Sequence, residues 1–254
     1  MNPEKNFTKG VERLVNPMDV AFMHLIGQIN GLLPRSIQNK LMNSSSKKYP
    51  YMGFVVEPYS FFLCYEIIDL EWAKKLLPDG FKLIKTKIFD NDEPKYYVIF
   101  GCVNAHTSAF WGIRIEFYII AEDEKTGLLT WVIIDYDTNT VGYDPRNGLR
   151  MPTTKNAVMA TTHRGNIIFD INNEKSNRHL SFSSSILGGE MQNLDQRLWL
   201  EGNLSICYGR ELSLNKAEPF SLKFDPLEVE KAWNMPLIDI NIESNTWFPG
   251  LFAS

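Results

Sequence analysis

The sequence predicts a mainly β protein of the α+β class, built from antiparallel strands with a few peripheral helices. Three observations lead there. Trp111, Ile113, Ile115, Phe117 and Ile119 alternate with Gly112, Arg114, Glu116 and Tyr118. That is the period of a strand with one apolar and one polar face. The runs 54–66, 81–88, 96–105 and 128–137 are rich in aromatic and β-branched residues, which suit a pleated, half-buried surface. Turn-forming clusters stand at 123–127, 163–166 and 172–177.

The remaining elements follow in order. Leu198, Leu200, Leu204 and Ile206 alternate with Arg197, Trp199, Glu201, Asn203 and Ser205, which predicts a further strand. Two short helical signals interrupt the β pattern. One covers 70–77 and is stopped by Pro78-Asp79-Gly80; the other covers 226–233, after Asp225. Near the start, Phe22, Leu25, Ile26, Ile29, Leu32 and Leu33 recur at helical spacing, between Pro17 and Pro34. The run 18–33 contains Asp19, His24, Gln28 and Asn30, so it is too short and too polar to span a bilayer. It has no basic leader of the signal-peptide kind. It reads as a helix packed on the domain; a membrane-surface or partner helix is the other reading, without the lysine-rich face such helices carry. The expected organisation is an N-terminal helical segment over 1–50 and one β domain over 51–254.

Composition excludes several function classes. The chain has 254 residues, 44% hydrophobic and 22% charged, enough for one large domain with a sizeable core. A net charge of −4 without a basic patch removes the electrostatic footprint of nucleic-acid binding. Cys64, Cys102 and Cys207 are odd in number, far apart and set in apolar runs, as expected of reduced core cysteines in a cytoplasmic protein. His24, His106, His163 and His179 show no metal-ligand spacing with one another or with the cysteines, so no metal is expected. No glycine fingerprint for a nucleotide or flavin is present, no Gly-x-Ser-x-Gly surrounds any serine, and no organic cofactor is expected.

The most informative short stretch is Pro152-Thr153-Thr154-Lys155, which follows the strand-like Trp131-Val132-Ile133-Ile134-Asp135-Tyr136-Asp137 and a looping segment over 143–151. Earlier stands Leu76-Leu77-Pro78-Asp79-Gly80, a helix-ending turn after the first long strand, and then the Thr126-Gly127 turn. In order and interval these elements resemble the acetoacetate decarboxylase superfamily over about residues 53–235. In that superfamily a proline is followed at once by two lysines, the first of which forms a Schiff base; here threonines hold both positions. Families that lack the lysine, and have no assigned chemistry, share the helix-ending turn. The resemblance implies a closed or cone-like barrel of antiparallel strands with peripheral helices and a central pocket. It also implies a small carboxylate or keto acid as ligand, and a lyase acting on a β-keto acid or a non-catalytic binding barrel that has lost the lysine. The superfamily includes oligomers, so a homo-oligomer is compatible with it.

Decarboxylation of a β-keto acid leaves electrons on the α-carbon, and a protonated imine accepts them better than a ketone does. The lysine must first be neutral, its pKa lowered by burial or a neighbouring cation, as acetoacetate decarboxylase itself illustrates. Lys155 has no adjacent lysine, and in an extended segment it points to the same side as Thr153. It is the candidate imine former; the other reading is a surface lysine on the rim. Arg114 and Glu116 fall where the resemblance places an acidic residue facing the pocket. If they face inward, Arg114 binds a substrate carboxylate, Glu116 acts as acid or base, and Tyr118 donates a hydroxyl. A one-residue slip puts them outside, as a solvated strand face. Glu201, on the polar face of the later strand, is a further substrate-binding candidate.

Overall fold

The computed structural model describes residues 54–56, 60–107, 111–140, 142–144, 148–150, 152–162, 164–202, 206–208 and 230–253, besides 34, 36 and 37. The helix expected over 18–33 and the start of the one expected over 226–233 lie outside these. The described strands are β1 (Phe54–Val56), β2 (Phe61–Glu66), β3 (Phe81–Leu83), β4 (Tyr97–Thr107), β5 (Trp111–Asp123), β6 (Leu129–Thr138), β7 (Gly142–Asp144) and β8 (Gly148–Arg150). They continue with β9 (Asn156–Thr161), β10 (Asn166–Asn173), β11 (Arg178–Ser185), β12 (Glu190–Asn193), β13 (Ile206–Tyr208), β14 (Lys231–Asn234) and β15 (Asn241–Asn245). The protein is mainly β, with antiparallel sheets, as the alternation predicts.

A large sheet runs β1-β4-β5-β6-β13, with β2 also paired to β4 and β3 to β5; only β13 joins in parallel. A second sheet runs β15-β11-β10-β9. Where a closed barrel or cone was expected, the described strands form these two open sheets and two separate two-stranded pairs, β12-β14 and β7-β8. The inner faces of the two larger sheets meet through side chains rather than through a continuous ladder. Between them lies one apolar core, with Phe100 and Val98 from β4, Ile115, Phe117 and Ile119 from β5, Ile167, Phe169 and Ile171 from β10, and Leu180 and Phe182 from β11. The C-terminal Trp247, Leu251 and Phe252 close it. Phe117 stacks on Phe248 with ring centroids 4.5 Å apart and meets Phe100 at 4.8 Å. Removing a side chain of this size from water contributes about 1.5–3 kcal/mol.

The apolar positions 113–119 of β5 thus bury against the second sheet. The other face of the large sheet is buried too, under a second cluster that includes Tyr118, Ile120, Trp131, Ile133, Leu198 and Trp199. This explains why β6 reads as a nearly continuous apolar run: both its faces are covered.

Helix α1 (Leu70–Leu76) forms where predicted. The Asp69 side chain accepts the Trp72 N–H at 2.8 Å, Ala73 is buried, and Lys74 and Lys75 occupy the last turn before Pro78. Three expectations need correction. The strand expected through Leu198 and Glu201 is a π-helix, Arg197–Glu201. Asp195 nucleates it, its carboxylate accepting from Leu198 N at 2.8 Å and its carbonyl from Trp199 N at 3.1 Å. Leu198 and Trp199 then bury side by side in one cluster, which consecutive strand residues on opposite faces do not do. Lys231–Asn234, expected as the end of a helix, is a strand that pairs with β12 and sets Trp233 opposite Met191. In the run 81–88, only Phe81–Leu83 is a strand; Thr86 contributes a single bridge to Lys95.

Candidate functional site

The site begins with an irregularity in β6. Phe117 pairs with Asp135 and Tyr118 with Ile133, so Ile134 is an extra residue in that strand. Such a bulge shifts the two-residue phase by one. Before it, Trp131 and Ile133 face away from the second sheet; after it, Tyr136 does. Asp135 and Asp137, opposite Phe117 and Ile115, therefore face the second sheet.

What they meet there also follows from alternation. Ile167, Phe169 and Ile171 point into the core, and the next step of the same period is Asn173. Its partner across the ladder is Arg178, two places before Leu180 on the inner face of β11. At this end the apolar sandwich gives way to a polar cluster. Asn173 Nδ2 donates to Asp137 Oδ1 at 2.6 Å, while Asn173 Oδ1 accepts from Lys175 N at 3.1 Å and Ser176 N at 3.3 Å, shaping the β10–β11 turn. Arg178 Nη2 donates to Asp137 Oδ1 at 3.1 Å. Its Nε lies 3.0 Å from Asp137 Oδ2, a charge contact, and directs its hydrogen to Ser176 Oγ at 3.0 Å. Nη1 donates to Asp135 Oδ2. The guanidinium also stands over the Trp247 ring, 4.6 Å from its centroid. Burial raises the Asp135 carboxyl above its ordinary range, against the lowering effect of Arg178 and of the Tyr136 N–H that Asp135 accepts at 2.8 Å.

Beside this cluster opens a solvent-accessible cleft of about 400 Å³, lined by Asp135, Tyr136, Pro152, Thr153, Asn173, Lys175 and Arg178. Its volume suits a small molecule. Thr153 Oγ1 accepts from Thr138 N at 2.9 Å and Thr153 N donates to Thr138 O at 2.9 Å. Thr154 is buried; its hydroxyl donates to Asn172 O and accepts from Asn156 N at 2.9 Å. The two threonines thus tie the Pro152 segment to both sheets. Lys155 is exposed, immediately precedes β9 and does not line the cleft.

The structure brings Arg114, Glu116 and Tyr118 together, on the other face of the large sheet. Arg114 Nε donates to Glu116 Oε1 at 2.5 Å, the Tyr118 hydroxyl donates to Glu116 Oε2, and the Arg114 guanidinium lies over the Tyr136 ring at 3.9 Å. Arg114 and Glu116 keep 12% and 18% of their side-chain surface exposed, so this is not a solvated strand face. They do not line the Pro152–Thr153 cleft either; Tyr136, whose ring Arg114 covers, is the link between them. Glu201 sits apart, on the π-helix, where its Oε1 accepts from Leu129 N at 2.6 Å and Oε2 lies 3.6 Å from Arg197 Nε.

Sequence reasoning missed Asp135, Asp137, Asn173, Lys175 and Arg178. The signal was their position at the ends of apolar alternations, but the bulge that turns Asp135 and Asp137 inward has no local signature. Among the described residues no group of three or more His, Cys, Asp or Glu is placed to hold a metal ion, and no helix is long and apolar enough to cross a membrane. Comparison of the chain with protein-family models, curated proteins and solved structures finds no match.

Proposed function

We propose that this protein binds a small carboxylate or keto acid in the Pro152–Thr153 cleft, as an acetoacetate decarboxylase-like protein that works without a lysine at the Schiff-base position. One observation carries the reading: the segment that the resemblance assigns to the imine-forming lysines lines the cleft through Pro152 and Thr153. The chemistry around it suits the ligand. Lys175 and Arg178 supply cationic donors for a carboxylate, Tyr136 and Pro152 supply apolar surface, and Asp135 supplies a carboxyl that burial pushes toward protonation. The test is ligand-observed NMR on a panel of acetate, acetoacetate, pyruvate and neutral acetone. Saturation transfer to the acids, lost in Arg178→Gln, supports the reading; transfer to acetone alone, or to nothing, opposes it.

A second reading keeps the lyase. Lys155 follows the cleft-lining Thr153 by two residues. A short movement of the chain there would bring its amine to a bound keto group, where the carbonyl oxygen would leave as water to form the protonated imine; the bond from the α-carbon to the carboxylate would then break, releasing carbon dioxide and leaving its electron pair in an enamine. Borohydride reduction in the presence of acetoacetate distinguishes the two. A mass increase lost in Lys155→Ala supports the lyase; an unmodified protein that still binds the acid supports the binding role.

A further inference from the structure

We infer that Arg178 receives the ligand's carboxylate on its Nη1 side by releasing Asp135, and that Asp135 takes up a proton as it is released, so that ligand binding is coupled to protonation of the cleft. This rests on the reading of the cleft as a carboxylate site. The two carboxylates on Arg178 are not equivalent. Asp137 lies along the Nε–Nη2 edge, is 1% exposed, and is fixed from the far side by Asn173 Nδ2 at 2.6 Å. It cannot leave without stranding a buried charge. Asp135 is bonded to Nη1, lines the cleft, and has 32% of its side chain open to solvent. The other hydrogens of Nη1 and Nη2 have no partner among the described residues. A planar guanidinium anchored on one edge thus presents its other edge to the cleft, the geometry that takes a carboxylate in a two-point contact.

An incoming carboxylate and Asp135 compete for that edge, and two anions side by side on one cation repel. Among the described residues, the charged groups around Asp135 are Arg178 on β11, Asp137 on its own strand and Lys175 on the β10–β11 turn. Phe117, opposite it on β5, and the Pro152–Thr153 segment bring none. Once its bond to Arg178 is broken, only the Tyr136 N–H at 2.8 Å and Lys175 favour the ionised form among the described residues, and burial opposes both. Burial already raises its carboxyl, so protonation by solvent relieves the repulsion. A proton that is bound with the ligand makes affinity fall as pH rises, between the pKa of Asp135 in the free protein and its higher pKa in the complex. The limiting slope is tenfold for each pH unit. Lys175, at the mouth, then meets the ligand's second oxygen or keto group.

The experiment is calorimetric titration of the full chain with levulinate, a keto acid that does not lose carbon dioxide spontaneously, and with acetate. Each runs in two buffers of different ionisation enthalpy, above the ligand's own carboxyl pKa, on wild type, Asp135→Asn and Arg178→Gln. The expected result is a buffer-dependent heat that reports proton uptake by wild type, and binding by Asp135→Asn that is tighter, pH-independent and free of that uptake. Arg178→Gln loses at least tenfold in affinity. Wild-type binding with no buffer-dependent heat overturns the inference and leaves the cleft reading standing, as does uptake that survives in Asp135→Asn. Binding by neither acid overturns both.

Discussion

Asn173 and Arg178 stand directly opposite each other in the β10–β11 ladder, and both bond the same oxygen of Asp137, on the other sheet. This three-residue contact joins the two sheets where the apolar core ends, and it sets the floor of the cleft. Asp137→Ala removes it. The variant should lose about 2–4 kcal/mol, somewhat below the full cost of breaking a buried pair because Arg178 keeps contact with water. Urea denaturation checks this, and a loss under 0.5 kcal/mol, the ordinary range for a surface change, would contradict the structural role.

Asp135 gives stability a pH dependence of unusual sign for a carboxylate beside an arginine. Its folded-state pKa is raised, so the folded protein binds the proton more readily than the unfolded chain does. Between the two values, ∂ΔG/∂pH is negative: this site loses stability as pH rises from the unfolded pKa through the folded one, and regains it on acidification. Denaturation of wild type and Asp135→Asn across that window should show the negative contribution in wild type alone. A contribution of the opposite sign would mean that Arg178 outweighs burial.

Thr154→Val tests the tie beneath the cleft. The substitution keeps the shape and removes the hydroxyl that serves Asn172 O and Asn156 N. Leaving buried backbone groups unpaired costs about 1–3 kcal/mol. The affinity of any cleft ligand should fall with it, because Thr153, next in the chain, lines the wall. A stable variant with unaltered binding would show that the Pro152 segment is positioned by something else.

The π-helix offers a test away from the cleft. A Cβ on Gly202 would come within 2.1 Å of Trp131 Nε1 and 2.3 Å of Trp131 Cδ1. That indole is buried and donates to Leu198 O at 3.0 Å. Gly202→Ala should therefore destabilise by about 1–3 kcal/mol, as overpacking does. Thermal denaturation measures it, with Gly188→Ala, where a Cβ meets nothing within 4 Å, as the control.

How much of this was legible depended on whether the signal was local. The alternation in 111–119 and the Pro78-stopped helix are written in adjacent residues, and both formed as read. The π-helix at Arg197–Glu201 was misread because Leu198, Leu200 and Leu204 alternate by coincidence, while the deciding contact is the Asp195 carboxylate on Leu198 N. The Arg114, Glu116 and Tyr118 grouping followed from strand period, but which layer they faced needed the second sheet, whose pairing no local pattern reveals. The Asp135, Asp137, Asn173 and Arg178 cluster was not found for the same reason. Its members come from three strands, and a one-residue bulge at Ile134 decides their direction.

The most direct test of the account is a titration of isotopically labelled protein with acetoacetate, followed by amide chemical shifts in wild type and in Arg178→Gln. Saturable shifts are expected at Thr153, Asn173 and Lys175 in wild type, and their loss in the variant, with the Leu129 and Glu201 region undisturbed in both. Shifts centred on Arg114 and Glu116, or shifts at the cleft that persist without Arg178, would contradict it.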